Sequence, residues 1–156
     1  MSSTLHETLS SLTTLEVAMA AFYKACAQQW PEDADFWNGV AHQELAHACS
    51  VESMGALIEL NPQHFTLARS FKVAAINTVI AGVNRNRELV SARQLLKRQA
   101  LHSAYDIEKT VMERRFYELV ETKDVRFLEI RNDIIEQTRK HQEQFERQIA
   151  RSERRS

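Results

Sequence analysis

The sequence predicts an all-α protein of one domain. Its 156 residues include only 3 glycines and 2 prolines, which leaves little material for hairpins or long loops. Over long stretches, apolar residues recur at alternating spacings of three and four, the pattern of a helix with one buried face. We therefore expect a helical domain at 1–150, followed by a basic, frayed tail at 151–156.

The first two predicted helices form a hairpin. The first begins after Thr4, whose spacing to Glu7 makes a capping box, and it ends before Pro31. The second covers about 33–60 and is stopped by Pro62, because the residue before a proline disfavours helical geometry. A short turn between two helices makes them antiparallel neighbours.

The second half of the chain predicts another hairpin, reached by a long connection. The segment 63–90 has helical character of its own and is too long for a tight turn, so we expect a crossover that runs the length of the bundle. A third helix is expected at 91–120. A turn at 121–124 then leads into a fourth helix that ends near Ile149.

Carboxylates and imidazoles interrupt the apolar faces of these helices. On the first helix, Glu16 lies in a stripe of leucine, methionine and aromatic residues. On the second, Glu44 and His47 occupy consecutive core positions, the i and i+3 geometry that lets two side chains reach one ion. Because a buried, unpaired carboxylate costs several kcal/mol, a bound metal is the readiest explanation for these positions.

The same polar residues are predicted to lie at one level of the bundle. Residues equidistant from an antiparallel turn are level with each other, and Glu16 and Glu44 are equidistant from Trp30. In the second hairpin, Glu108 is level with the region of His141 across the next turn. Three glutamates and two histidines therefore converge.

This arrangement resembles the ferritin-like superfamily, and within it the di-iron domain of rubrerythrins. Members carry a Glu on helix 1, Glu-x-x-His on helix 2, a Glu on helix 3 and Glu-x-x-His on helix 4. Four residues of this chain match the first three motifs: Glu16, Glu44, His47 and Glu108. The fourth motif departs, because Thr138 stands three residues before His141, where members carry a bridging carboxylate.

The resemblance implies a ferritin-like four-helix bundle with a long, partly helical crossover between helices 2 and 3. It also implies one or two bound iron ions, with manganese or zinc as alternatives for a mixed carboxylate and imidazole site. The expected metal ligands are Glu16, Glu44, His47, Glu108 and His141. Weaker candidates for contact with those ligands are Tyr23, Tyr105, Gln137 and Thr138.

Two functions from different classes remain open. The first is a rubrerythrin-like non-haem iron protein that reduces hydrogen peroxide or dioxygen, or oxidises ferrous iron. The alternative is a metal-binding or purely structural bundle without catalytic activity. The chain has two cysteines and no CxxC motif, so it lacks a rubredoxin segment and a redox enzyme of this kind would need an external electron donor.

Charge and hydropathy indicate the expected partners. The 20 basic and 21 acidic residues are nearly balanced and form no basic stretch within the folded region, so we expect no nucleic-acid partner. No membrane span or signal-peptide pattern is present, and a cytoplasmic protein is the default expectation. Apolar residues in the crossover, such as Phe71, Val79 and Ile80, predict a homodimer.

Overall fold

The computed structural model describes residues 3–68 and 73–154 and confirms the all-α class. The five helices are α1 (Ser3–Gln29), α2 (Ala34–Leu60), α3 (Val73–Ser91), α4 (Lys97–Glu113) and α5 (Val125–Arg154). The strands in the described ranges are β1 (Phe65–Leu67) and β2 (Val120–Thr122), which pair in an antiparallel ladder.

The packing of the helices follows from the chain order. The short 3₁₀ turn Pro31–Asp33 returns α2 along α1. Helix α5 packs along α4 and also contacts α2, while α3 lies mainly against α1. The predicted bounds of the first two helices agree with the structure to within a residue or two. Thr4, predicted as a cap, lies inside α1, where its carbonyl accepts a hydrogen bond from the Thr8 hydroxyl.

The connection between α2 and α4 differs from the prediction. Helix α3 continues to Ser91, so the polar residues 84–89 at the end of the predicted connection are helical. Arg93 then adopts left-handed geometry with φ 58°, which ends the helical path. Helix α4 begins only at Lys97, because the Gln99 side chain accepts a hydrogen bond from the Leu96 amide at 2.9 Å and caps that position.

The third predicted helix also ends earlier than expected. Helix α4 stops at Glu113, and Arg115 has left-handed geometry with φ 54°. A 3₁₀ turn, Phe116–Glu118, follows and leads into β2. Strand β2 pairs with β1, with Leu67 opposite Val120. This ladder ties the crossover to the α4–α5 connection, and nothing in the helical pattern predicted it.

The C-terminal segment is more regular than expected. Helix α5 runs through Arg154 rather than ending near Ile149, so most of the predicted tail is helical. Residues 155–156 lie outside the described part of the chain, as does Phe71 of the predicted dimer surface. Among the described helices, none combines the length and apolar character needed to cross a membrane.

Candidate metal centre

The structure brings all five predicted ligands together in its interior. They come from four helices: α1 supplies Glu16, α2 supplies Glu44 and His47, α4 supplies Glu108 and α5 supplies His141. None of the five is more than 2% exposed. Ionisable side chains are rarely buried so completely without a partner, so five at one place mark a site.

The ligands form two overlapping groups that share Glu44. One group is Glu16, Glu44 and His47, and the other is Glu44, Glu108 and His141. Within each group, one ligand atom per residue can be chosen so that all lie within 4.8 Å of one another. Such groups could hold metal ions. The Glu44 carboxylate lies between the two rings, with Oε2 3.2 Å from His47 Nδ1 and Oε1 2.7 Å from His141 Nδ1.

The two outer carboxylates are each held by a tyrosine, and each has one oxygen without a hydrogen-bond partner in the described part of the chain. Tyr23 donates to Glu108 Oε1 at 2.8 Å, and Tyr117 donates to Glu16 Oε1. The other oxygens, Glu16 Oε2 and Glu108 Oε2, are buried without a hydrogen-bond partner among the described residues. Buried acceptors are normally satisfied. A cation between these oxygens and the imidazoles would satisfy both, so the residues present fit a metal.

Two glutamines orient the imidazoles. His47 Nε2 lies 2.6 Å from Gln137 Oε1, and His141 Nε2 contacts Gln43 Oε1. An amide oxygen only accepts hydrogen bonds, so each Nε2 carries a hydrogen. In the neutral ring, Nδ1 then presents its lone pair to the carboxylates. A histidine held this way from its outer nitrogen is oriented for metal binding.

The glutamine contacts are reciprocal and reveal an internal correspondence between α2 and α5. Each helix carries a glutamine four residues before its histidine, and each glutamine contacts the histidine of the other helix. On this correspondence Thr138 stands where α2 has Glu44. Thr138 is buried, and its hydroxyl donates to the Ile134 carbonyl at 2.8 Å. It therefore contributes no charge to the site.

Burial and mutual repulsion divide the protons among the carboxylates. The pKa of Glu44 is raised well above its ordinary value, because burial and the negative charges of Glu108 and Glu16 disfavour its ionised form. Burial also acts to raise the pKa of Glu16, but interactions with Glu44 and His47 outweigh it and lower that pKa. Without a cation, the raised pKa of Glu44 therefore favours its protonated form.

Three further pKa shifts concern the groups that contact the outer carboxylates Glu16 and Glu108. Burial acts to lower the pKa of His47, but its contact with Glu16 and that negative charge raise it overall. Burial and the nearby carboxylates raise the pKa of both Tyr23 and Tyr117 far above that of a free phenol. Both phenols consequently stay protonated and remain hydrogen-bond donors.

Two residues at the site, Gln43 and Tyr117, were missed from the sequence, and one candidate lies elsewhere. Tyr117 follows the end of α4, and it points inward because Arg115 turns the chain there. A helical pattern extended through 120 could not have found it. Tyr105, predicted near the ligands, instead donates its hydroxyl to Glu146 at 3.2 Å on the outer side of α4 and α5.

A scan against protein-family models and searches of curated proteins and of solved structures find no match to this chain. The fold and the site define its class without them. The chain is an all-α protein whose buried glutamates and histidines form two overlapping groups that could hold metal ions.

Proposed function

We propose that this protein is a non-haem metalloprotein in which α1, α2, α4 and α5 form a ferritin-like bundle around a two-ion centre. The observation that carries the proposal is the pair of buried Glu/His groups joined through Glu44. Further support comes from the two unpaired carboxylate oxygens and from the outward hydrogen bonds of both imidazoles. Mixed carboxylate and imidazole ligands suit iron, manganese or zinc, and the proposal takes iron as its first candidate.

The proposed occupancy follows the two groups. One ion is held by Glu16, Glu44 and His47, and the other by Glu44, Glu108 and His141. Three carboxylates supply three negative charges against four positive charges of two divalent ions. Water or hydroxide would fill the remaining coordination positions of each ion. A small substrate could bind there by displacing it.

The proposed reaction is the reduction of hydrogen peroxide or dioxygen, and bound ferrous iron would supply the electrons. The chain itself orients and insulates the centre. Tyr23 and Tyr117 hold the outer carboxylates, and the glutamines hold the rings. A groove of about 330 Å³ between α2 and α5 reaches Gln43, which contacts His141. We assign it as the route for a small substrate, with an external donor restoring the electrons.

Metal analysis of the purified protein tests the proposal directly. Anaerobic titration with ferrous iron should load up to two ions per chain, and addition of peroxide should produce the near-ultraviolet absorption of ferric iron. Substitution of an exposed glutamate of α5, Glu129→Gln, should leave both results unchanged. Failure of the native chain to bind iron, manganese or zinc under these conditions would contradict the proposal.

A metal-binding or structural bundle without catalysis is the second candidate, and Thr138 favours it. A fourth carboxylate would hold two cations close together, whereas the Thr138 hydroxyl is used within its own helix. Thr138→Glu should therefore tighten binding of the second ion, since the added charge offsets repulsion between the cations. Peroxide turnover that is weak in the native protein should rise as well.

Gln137→Glu is the comparison for this change: it adds the same charge one residue away, where the side chain is rotated by about 100° around the helix and contacts His47 of the other group. It should increase the affinity for the second ion less than Thr138→Glu does. If Gln137→Glu tightened the second ion while Thr138→Glu only destabilised the fold, the proposed correspondence between α2 and α5 would be wrong. If neither changed metal content, the non-catalytic candidate would stand.

A further inference from the structure

A column of oxidisable aromatic rings leads from the candidate metal centre to the α1–α2 turn. Tyr23 donates its hydroxyl to Glu108 at 2.8 Å. Its ring centroid lies 5.9 Å from that of Trp37, and the Trp37 centroid lies 6.5 Å from that of Trp30. Tyr23 and Trp37 are buried, whereas Trp30 is partly exposed. The column therefore has one end at a proposed ligand and the other at the surface.

The surroundings of the column are apolar and resist oxidation. Phe145 packs on both Tyr23 and Trp37, with centroid distances of 5.4 and 5.7 Å. Phe36 packs against Trp37 at 5.4 Å. Phenylalanine is much harder to oxidise than tyrosine or tryptophan, so among the aromatic rings of this cluster the charge would reside on Tyr23, Trp37 and Trp30.

The second tyrosine of the centre provides an internal comparison. Tyr117 donates to Glu16 much as Tyr23 donates to Glu108, and both side chains are buried. In the described part of the chain, however, no aromatic ring packs against Tyr117 as Trp37 packs against Tyr23. The two tyrosines support equivalent carboxylates, but only Tyr23 continues toward the surface.

We propose that Tyr23, Trp37 and Trp30 form an electron-transfer path between the Glu108 side of the centre and the surface at the α1–α2 turn. The path would supply electrons to the proposed redox centre, and its physiological use rests on that proposed function. It would admit electrons from an external one-electron donor to a site too deeply buried for direct contact.

Each transfer along the path balances. When peroxide has left an oxidising equivalent at the centre, Tyr23 gives up one electron to it and passes its phenolic proton to Glu108. Trp37 then returns one electron to Tyr23, which takes the proton back. Trp30 reduces Trp37, and the external donor reduces Trp30. The net change is one electron moved from the donor to the centre, with the three side chains restored.

The path can be tested in metal-free protein, independently of the proposed function. The chain has three tyrosines and two tryptophans, and a Tyr105→Phe background leaves only buried tyrosines. Photo-excited tris(bipyridine)ruthenium with persulfate removes one electron from accessible Trp30. Electron paramagnetic resonance of rapidly frozen samples should then show a tyrosyl radical, formed when the oxidation reaches Tyr23.

Four substitutions in that background decide the result. Tyr23→Phe and Trp37→Phe should each abolish the tyrosyl signal, whereas Tyr117→Phe should leave it in place. Since Trp37→Phe removes volume from the core, Trp30→Phe provides a second break at the partly exposed end. A tyrosyl signal that survives both tryptophan substitutions, or that disappears equally in Tyr117→Phe, would overturn the path.

Iron-loaded protein then shows whether the path serves the centre. Peroxide added without a reductant should oxidise Trp30, detected as residue-specific mass increases, and Trp37→Phe should remove most of this modification. Iron that binds and oxidises normally while Trp30 stays unmodified would overturn the path but not the proposed function. If iron fails to bind, the proposed function fails, and the metal-free experiment still decides the path.

Discussion

Replacing Glu44 by glutamine removes the one carboxylate that both candidate metal groups share. The change keeps the shape of the side chain. Because burial and its neighbours raise the pKa of Glu44, the metal-free protein already holds this residue as a neutral acid. Glutamine resembles that neutral form, so metal-free Glu44→Gln should be about as stable as the native metal-free protein.

The expected rise in the melting temperature Tm follows from the number of ions that the two groups would hold. An ion present at about 100 times its Kd stabilises the folded state by about 2.7 kcal/mol. In a chain of 156 residues, each kcal/mol raises Tm by about 2–4 °C. One filled group should therefore raise Tm by about 5–11 °C, and two filled groups by up to about twice that. Glu44→Gln should abolish nearly the whole rise.

The matched variants separate a shared ligand from an unshared one. Glu16→Gln and Glu108→Gln each remove a carboxylate from a single group, so each should retain a substantial part of the rise. His102→Ala changes an exposed histidine of α4 and should retain all of it. Differential scanning fluorimetry with and without excess manganese provides the measurement, and metal analysis of the same samples gives the stoichiometry.

Two outcomes would refute the shared role of Glu44. One is a Glu44→Gln protein that keeps the Tm rise of one full group. The other is a Glu16→Gln or Glu108→Gln protein that loses the whole rise while its metal-free form melts normally. In either case the two groups would not be joined through Glu44.

Three further predictions concern pH, helix stability and association. Folding raises the pKa values of Glu44 and His47 above their ordinary values of 4.5 and 6.5. Their protonated forms therefore stabilise the metal-free fold when the pH is below those ordinary pKa values, and this contribution is lost as the pH rises through the folded-state pKa values. In chelator-treated protein, the urea concentration at the unfolding midpoint should decrease as the pH is raised above 4.5. With saturating manganese, it should instead increase with pH. The same dependence on pH in both conditions would contradict this. Gly39→Ala should stabilise α2 by about 0.5–1 kcal/mol, since an added Cβ meets no atom within 4 Å, and a lower Tm would count against it. Val79 and Ile80 of α3 are only partly buried, and sedimentation should show a homodimer rather than a monomer at micromolar concentration.

The convergence of the candidate ligands could be predicted because it depends on helix periodicity and on the position of each turn. The register of Glu16 and Glu44 needs only the turn beside Trp30, which Pro31 fixes. The register of Glu108 survived an error in the helix bounds. Although α4 ends at Glu113 and the chain continues to α5 through a 3₁₀ turn and β2, Glu108 still lies beside His141, with 3.5 Å between Oε1 and Nδ1.

The parts that escaped prediction depend on backbone conformations and contacts that periodicity does not encode. The left-handed Arg115 determines that Tyr117 points inward, and arginine carries no strong preference for that geometry. Gln137 was a weak candidate from the sequence, whereas Gln43 was missed, and both side chains are exposed on their helices. Only the packing of α2 beside α5 shows that each caps a histidine of the other helix.

The correspondence between α2 and α5 fails at Thr138, which stands where α2 has Glu44. This difference sets the order in which the proposed centre would bind its two ions. The first ion to bind must displace the proton that Glu44 holds, after which the ionised carboxylate can be shared with a second. Thr138 adds no charge to offset the repulsion between the two cations. The first ion should therefore bind tightly and the second more weakly. At low metal concentration the centre would hold one ion, and the second would join it only when free metal is abundant.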